Sequence, residues 1–496
     1  MIGVILAAGV GSRLRPMTNS KPKCLVSTAG KPILQYQIDA YIEAGVRHLI
    51  IVVGYEGNAI KEYCKHIKDV EIKIIENVDY ETTNNMYSLY LAKDQIGDAP
   101  FILNNADLSI DLTIVKKLLQ HPEQNSIAVD SSLYNDESMK VSTNERGLIN
   151  DISKKISKED AFACSIDFYK FSQASSKIFF DEITRIIEIE KNLKDWTEVA
   201  MQRLFQAGKM QFSPCDIAGL DWVEIDNYED LALSDRKFSK FDSKMQQIDN
   251  IFFDMDGTVY LGNTIIPGAR ETIEKVSKDG KRVFFLSNNS SRSKEDYVQK
   301  LKKLDIEANT DQIILSTDAV LSFLRTERVE KVHILGTNSL KKTFIDHGFQ
   351  IDSASPEYVV IGYDTELSYQ KLITACKYIN SGADIIATHC DTFCPSEDGP
   401  IPDIGALVEM IRLTTGKSPS RTFGKPNKEM LLSFMQENSI TTTNTLIVGD
   451  RLHTDIEMAA NVGCHALLVL SGETSRDQVE TSKVKPNFIL NSIKDM

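Results

Sequence analysis

Apolar residues come in short runs separated by charged and turn-forming residues, and the length and spacing of each run predict the element it forms. Ile2 to Leu6 is continuously apolar and predicts a buried strand, and Gly9 and Gly11 just beyond it predict a sharp turn. Ile33 to Glu43 places apolar positions at helical spacing and stops at Gly45, so it predicts a helix. His48 to Val53, HLIIVV, predicts a second buried strand, and strand and helix continue in turn through Lys73 to Ile75 and Pro100 to Leu103. Such runs predict a mostly parallel sheet covered by helices, closing with DWVEIDNYEDL, Asp221 to Leu231. The polar stretch Arg236 to Asn250 has no useful apolar stripe and predicts a linker at 236–249, with helix left open. A second α/β unit then restarts: Ile251 to Phe253 as strand, Ala269 to Ser277 as helix, Arg282 to Leu286 as strand, and Leu446 to Val448 as the last strand. The block from about 309 to 417 reads as an insertion. The expected fold class is α/β in two domains, 1–235 and 250–496, the second carrying an inserted cap.

The 496 residues exceed one ordinary hydrophobic core, which agrees with two domains. A formal charge of −14 argues against nucleic acid or an anionic membrane as a general partner, so phosphorylated ligands need local cations or a metal. No apolar run approaches the about 18 residues of a membrane span. The opening MIGVILAAG lacks a basic leader, so membrane insertion is not expected and the expected location is the cytoplasm. The eight cysteines have no zinc spacing, and Cys390 with Cys394 reads as a reduced pair of loop thiols.

The candidate chemistry of the first domain begins in LAAGVGSRLRPMTNSKPKCL, Leu6 to Leu25. A glycine turn exposes backbone N–H groups, so Leu6, Ala7, Ala8, Gly9, Gly11 and Ser12 are expected to cradle a triphosphate while Arg13 and Lys23 hold the leaving pyrophosphate. Asp107 follows a strand end where open α/β sheets place ligands, and Asp226 has a similar strand-to-helix context. Each alone also fits a helix cap or a turn; beside the glycine loop, both are expected to hold a divalent ion.

The string as a whole resembles the signature of nucleotidyltransferases that make NDP-sugars and CDP-alcohols: Gly-x-Gly, Ser-Arg, Pro-x-Thr and Pro-Lys in that order. TNNMYSLYLA, Thr83 to Ala92, and NNADLS are similar to segments of the phosphocholine-type cytidylyltransferases, over roughly residues 1 to 235. The chain departs from that pattern with Asn105 in place of the first of two acids. The resemblance implies a Rossmann-like sheet, CTP as nucleotide and magnesium on Asp107 and Asp226. It also implies Lys154 or Lys155 at the acceptor phosphate. Asn85, expected among the nucleotide-binding residues, and the aromatics Tyr87 and Trp196 also fit the acceptor pocket, with core packing the alternative for any one of them.

In the second domain DMDGTVYLG puts Asp254 and Asp256 two residues apart just after a strand, which suits a nucleophile and an acid/base. A calcium loop would need a Glu at its twelfth position, where Ile265 stands. The motif resembles the haloacid dehalogenase superfamily. By that resemblance FLSNNS supplies Ser287 and Asn288 to phosphate oxygens and GKPN supplies Lys425. GDRLHTDI supplies Asp450, which with Asp254 and Asp256 binds magnesium, and Asp455 as a supporting acid. The long insertion is similar to the nitrophenyl-phosphatase and phosphoglycolate-phosphatase branch, which implies a Rossmannoid core beneath an α/β cap. ATHCDTFCPSEDG, Ala387 to Gly399, resembles the cap's substrate loop, with His389, Cys390 and Asp391 where relatives usually carry Asn-Pro-Asp. For His389 the residues leave substrate contact and a structural role equally open. The expectation is a bifunctional enzyme that transfers a cytidylyl group from CTP to a small phosphorylated alcohol, amino alcohol or sugar, and hydrolyses a phosphomonoester. The expected setting is head-group supply for a polysaccharide or lipid. A UTP- or GTP-using sugar-1-phosphate enzyme, a silent first half and homo-oligomerisation stay open.

Overall fold

The computed structural model describes residues 1–351, 353–394 and 399–496. The chain divides into two compact units, Met1–Phe238 and Ser239–Met496. In the first, strand Ile2–Ala7 lies between His48–Val53 and Phe101–Asn105, parallel to both, and Glu71–Glu76 adds a further parallel strand outside His48–Val53. Val4 and Leu6 enter the core on one face of the sheet, Ile5 and Ala7 the core on the other. That alternation under a continuous apolar run is what a strand covered on both faces requires. Beyond Phe101–Asn105 the sheet turns antiparallel: Ala163–Phe171 runs against Phe101–Asn105, Ser126–Asp130 and Lys140–Thr143. The sheet is therefore parallel in one half and mixed in the other.

A separate ribbon matters most for chemistry. Leu108–Ile110 pairs antiparallel with Trp222–Glu224, placing Glu224 opposite Leu108, and Ile225 N donates to Asp107 O at 2.9 Å. Two segments more than a hundred residues apart thus end at one place.

Among the described residues, the core sheet of the second unit has six parallel strands in the order Ile313–Leu315, Arg282–Ser287, Asn250–Asp254, Thr445–Gly449, His465–Val469 and Phe488–Leu490. Ile251 and Phe253 pack on one face and Phe252 on the other. The strand at Thr445–Gly449 is therefore followed by two more, where the sequence expects none. The cap has its own parallel sheet, Val332–Leu335, Tyr358–Ile361, Asp384–Ala387 and Arg421–Thr422. Its bounds differ from 309–417: Ile313–Leu315 is an edge strand of the core, and Arg421–Thr422 belongs to the cap.

The expected linker is largely structured. Helix Tyr228–Phe238 brings Phe238 to 4.8 Å from the Tyr36 ring in the first unit, and helix Phe241–Met245 buries Phe241 completely, 5.3 Å from Phe488 in the second. One aromatic anchor in a polar stretch is enough to dock a short helix without making a stripe.

Two predictions follow from this packing. Phe241→Ala removes a fully buried ring and should destabilise the second unit by about 3–4 kcal/mol in urea unfolding; an unchanged midpoint would mean that the helix contributes nothing to it. Burial, with Lys341 adding, pushes His333 on the cap sheet down to about 4. The unfolded chain then binds a proton the folded cap refuses, so stability is complete above about pH 6.5 and declines toward pH 4, by about 1–3 kcal/mol for a partly exposed ring. The dependence should vanish in His333→Gln.

Candidate functional sites

The loop after Ile2–Ala7 forms one wall of a cleft of about 440 Å³ in the first unit. Leu14 and Met17 fasten this loop by packing with Val26, Ile33, Val223, Ile225 and Leu231. Gly11, at φ 65°, leaves room for Lys23: a Cβ there would stand 2.8 Å from Lys23 Cβ. Lys23 Nζ lies 3.0 Å from Asp107 Oδ2 and 2.8 Å from Asp226 Oδ1, and Arg13 Nη2 lies 2.8 Å from the same Asp226 oxygen. Burial raises the Asp226 carboxyl, but Lys23 and Arg13 outweigh it and hold the group below its ordinary range.

Of the residues expected here, Leu6, Ala7, Ala8, Gly9, Gly11, Ser12, Arg13, Lys23, Asn85, Asp107 and Asp226 all line the cleft. Lys154 and Trp196 line it too, with Lys154 Nζ 5.2 Å from the centre of the Trp196 ring. Lys155 is exposed and is not among the lining residues. Tyr87 packs against the core and stacks with Tyr90, so it is no pocket residue: the helix Asn85–Leu91 turns that side away.

Three acids in the cleft go beyond the expected set. Glu224 joins Asp107 and Asp226 in a group whose carboxylate oxygens lie within 4.8 Å of one another, and burial, then Asp167, pushes it up to about 8. Asp167 sits in a strand with φ 57°, a left-handed conformation that a non-glycine residue rarely takes. Its carboxylate accepts from Asn105 Nδ2 at 3.0 Å and faces Glu198 across the Tyr169 hydroxyl, which lies 2.7 Å from Asp167 Oδ1 and 2.8 Å from Glu198 Oε1. One phenolic proton serves one carboxylate at a time, and burial with Glu198 pushes Asp167 up to about 7. Asn105 is thus a bridge: it meets Asp167, and it accepts from Asn85 Nδ2 at 3.5 Å. Asn85 in turn takes Thr197 N at 3.0 Å, next to Trp196. Oxygen-only donors of this kind suit a hard divalent ion rather than zinc or copper.

In the second unit Asp254 ends the strand Asn250–Asp254, and Lys425 Nζ is bonded to Asp254 Oδ1 and, at 2.6 Å, to Asp455 Oδ1. All three side chains are buried. Burial lowers the Lys425 ammonium, but Asp254 and Asp455 outweigh it and keep the group charged. Asp254, Asp450 and Asp455 bring carboxylate oxygens within 4.8 Å of one another; Asp256, expected in that set, is not part of it, and Asp455 is. The reason is that Asp256 stands past the strand end in a tight turn, with Gly257 N donating to Tyr260 O at 2.8 Å. Burial raises Asp256, and Lys300, Lys425, Arg451 and Arg292 supply positive charge about it.

Asp450 Oδ1 is buried and finds no hydrogen-bond partner among the described residues. Its other oxygen accepts from Glu473 N at 2.8 Å, and a Cβ at Gly472 would fall 2.0 Å from it. An unpaired buried oxygen facing two further carboxylates fits a divalent cation. Burial, then Asp455, pushes Asp450 up to about 7, as crowded acids without that charge should be.

Asn288 differs from expectation. Its Nδ2 donates to Asp391 Oδ2 and to Lys425 O, both at 3.1 Å, and its Oδ1 accepts from Lys425 N at 2.7 Å. Both amide hydrogens are therefore spent on protein rather than offered to a phosphate oxygen. Ser287 Oγ accepts from Asn289 N at 3.1 Å and lies 3.3 Å from Tyr297 Oη, which leaves the hydroxyl able to turn. His389 is buried with Nε2 3.0 Å from Asp403 Oδ1, a structural placement. Cys390 and Cys394 are unbridged thiols. Residues 395–398 of the expected cap loop lie outside the described residues. Among the described residues, no helix is long and apolar enough to cross a membrane.

The families that the chain matches divide in the same way. Residues 2–214 match the Nucleotidyl transferase family, residues 251–350 the Haloacid dehalogenase-like hydrolase family and residues 422–496 the HAD-hydrolase-like family. The chain is 29% identical over 254 residues to an acid sugar phosphatase of Staphylococcus haemolyticus, covering 51% of this chain and 95% of that protein. It is 29% identical over 252 residues to the 5'-nucleotidase YutF of Bacillus subtilis, covering 51% and 98%. Among solved structures, a 4-nitrophenylphosphatase of Thermotoga maritima is 35% identical with a TM-score of 0.49, covering 51% of this chain and 97% of that one. The chain thus carries a nucleotidyl transferase domain in its first unit and haloacid dehalogenase-like hydrolase domains in its second.

Proposed function

We propose that the first unit transfers a cytidylyl group from CTP to a small phosphorylated alcohol, amino alcohol or sugar, and that the second hydrolyses a phosphomonoester through Asp254. The observation that carries this reading is that each unit gathers cations and carboxylates from distant segments into one site. The choice of CTP rests on the resemblance of TNNMYSLYLA and NNADLS to cytidylyltransferase segments.

In the first reaction an oxygen of the acceptor phosphate attacks the α-phosphorus of CTP, and the bond to the β-phosphate oxygen breaks to release pyrophosphate. The backbone of Ala8 to Ser12 orients the triphosphate. Arg13 and Lys23 exchange their carboxylate partners for phosphate oxygens and offset the charge gathering on pyrophosphate. Lys154 meets the acceptor phosphate from the far wall. In the second reaction an Asp254 oxygen attacks phosphorus and the ester oxygen leaves with a proton from Asp256, whose burial keeps that proton available. Asp256 then takes a proton from the water that cleaves the aspartyl-phosphate, and inorganic phosphate departs. Lys425 holds Asp254 in place. Asp107, Glu224 and Asp226 would hold a divalent cation in the first site, and Asp254, Asp450 and Asp455 one in the second, with magnesium the proposed ion neutralising phosphate oxygens.

The proposed setting is the supply of an activated head group for a surface polysaccharide or lipid, where fusion keeps the two activities stoichiometric. The test is pyrophosphate release by an Asp254→Asn variant with each of four nucleoside triphosphates against a panel of small phosphate esters. CTP should exceed the other three by a factor of about 100 or more, the discrimination that buried polar contacts to a base supply. Preference for UTP or GTP would transfer the reading to sugar-1-phosphate chemistry, and no reaction with any pair would remove catalysis from the first unit.

A further inference from the structure

Within the second unit, the cap meets the core through polar side chains that the hydrolytic steps leave unused. Asp391 follows the cap strand Asp384–Ala387, and its nearly buried carboxylate accepts from Asn288 Nδ2 at 3.1 Å and lies 3.8 Å from Arg451 Nη1. Its loop is fixed from inside the cap. Gly405 N donates to Asp391 O at 2.7 Å, Asp403 N donates to Thr392 O at 3.2 Å, and the buried His389 ring stands 3.0 Å from Asp403 Oδ1.

On the core side both receivers are tied to the reaction centre. Asn288 spends its remaining hydrogen-bonding groups on the backbone of Lys425, N and O alike. Arg451 Nε lies 2.9 Å from Glu473 Oε2, and Glu473 N in turn holds Asp450 Oδ2 at 2.8 Å. Arg451 N donates to Asp455 Oδ2 at 3.2 Å. One cap carboxylate therefore lands on two core side chains, one leading to Lys425 and the other to Asp450 and Asp455.

We propose that Asp391, Asn288 and Arg451 form a latch that holds the cap closed over the hydrolytic site, with Arg451 the positioning residue that registers closure at Asp450 and Asp455. Opening the cap returns a carboxylate, an amide and a guanidinium to water, so each rehydrates and the closed and open states differ by little. That is the energetic condition for a lid that must release product. A bulky or misplaced leaving group would keep Asp391 from reaching Asn288 and Arg451, leaving the site open to water. The inference rests on the reading of the second unit as a phosphatase, but the hydrogen exchange that decides it does not depend on turnover.

The experiment is hydrogen exchange on the full chain in wild type, Asp391→Ala, Arg451→Met and the double variant. Each substitution is read at the amide it does not touch: Glu473 for Asp391→Ala and Lys425 for Arg451→Met. Each single change should speed exchange there about tenfold or more, and the double variant should be no faster than the faster single one, because a latch opens once. The KM for 4-nitrophenyl phosphate should rise several-fold in both, with kcat moving less. Asp391→Asn and Arg451→Lys serve if either larger change unfolds the unit. Unchanged exchange at the distant amide, or effects that multiply in the double variant, would overturn the latch. If wild type hydrolyses no phosphomonoester, the phosphatase reading fails while the exchange data still decide the latch.

Discussion

An ammonium held between two carboxylates recurs in both units, and each site is arranged around one. Lys23 sits between Asp107 and Asp226, Lys425 between Asp254 and Asp455. A charge taken out of water is costly unless partners surround it, and removing one partner of a buried pair costs about 3–5 kcal/mol because the other is left stranded. The arrangement is stable only if the segments carrying the three groups arrive together. In the first unit the Leu108–Ile110 and Trp222–Glu224 ribbon brings the two acids together; in the second, adjacent parallel strands ending at Asp254 and Gly449 set Asp254 beside the segment that leads to Asp455. The same pairing makes each site responsive to phosphate, since a phosphate oxygen can replace a carboxylate as the partner of the ammonium without leaving it bare.

Close approach is the second constraint. Lys23 reaches its acids because Gly11 carries no side chain, and Asp450 stands where it does because Gly472 has none. The glycines at these places yield space, while the sheets beneath the loops supply rigidity through cores on both faces.

Much of this was legible in the chain. Continuous apolar runs foretold the parallel strands and the α/β class, and the loop from Leu6 to Leu25 announced Arg13 and Lys23 as a pair. Asp107 and Asp226 could be named because strand ends are where open sheets hold ligands. Glu224 escaped because its position depends on a strand pairing between remote segments, although its place two residues before Asp226 was a usable signal. Asp167 could not be found at all: nothing in SIDFYK reveals a left-handed residue aimed into a cleft. Asn288 looked like a phosphate ligand because the motif marks the place, whereas the hydrogen bonds that occupy it come from Lys425 and the cap. Phe238 and Phe241 were hidden in a polar stretch, since a single anchor makes no period.

The central claim is that one chain carries two separate chemistries, each built on its own lysine and acids. The most direct measurement follows pyrophosphate release from CTP and acceptor, and phosphate release from 4-nitrophenyl phosphate, in the same preparations of wild type, Lys23→Met and Asp254→Asn. The account predicts that Lys23→Met lowers only the first rate and Asp254→Asn only the second, each by a factor of about 100 or more. A single substitution that abolished both, or pyrophosphate release that survived the loss of Lys23, would contradict it.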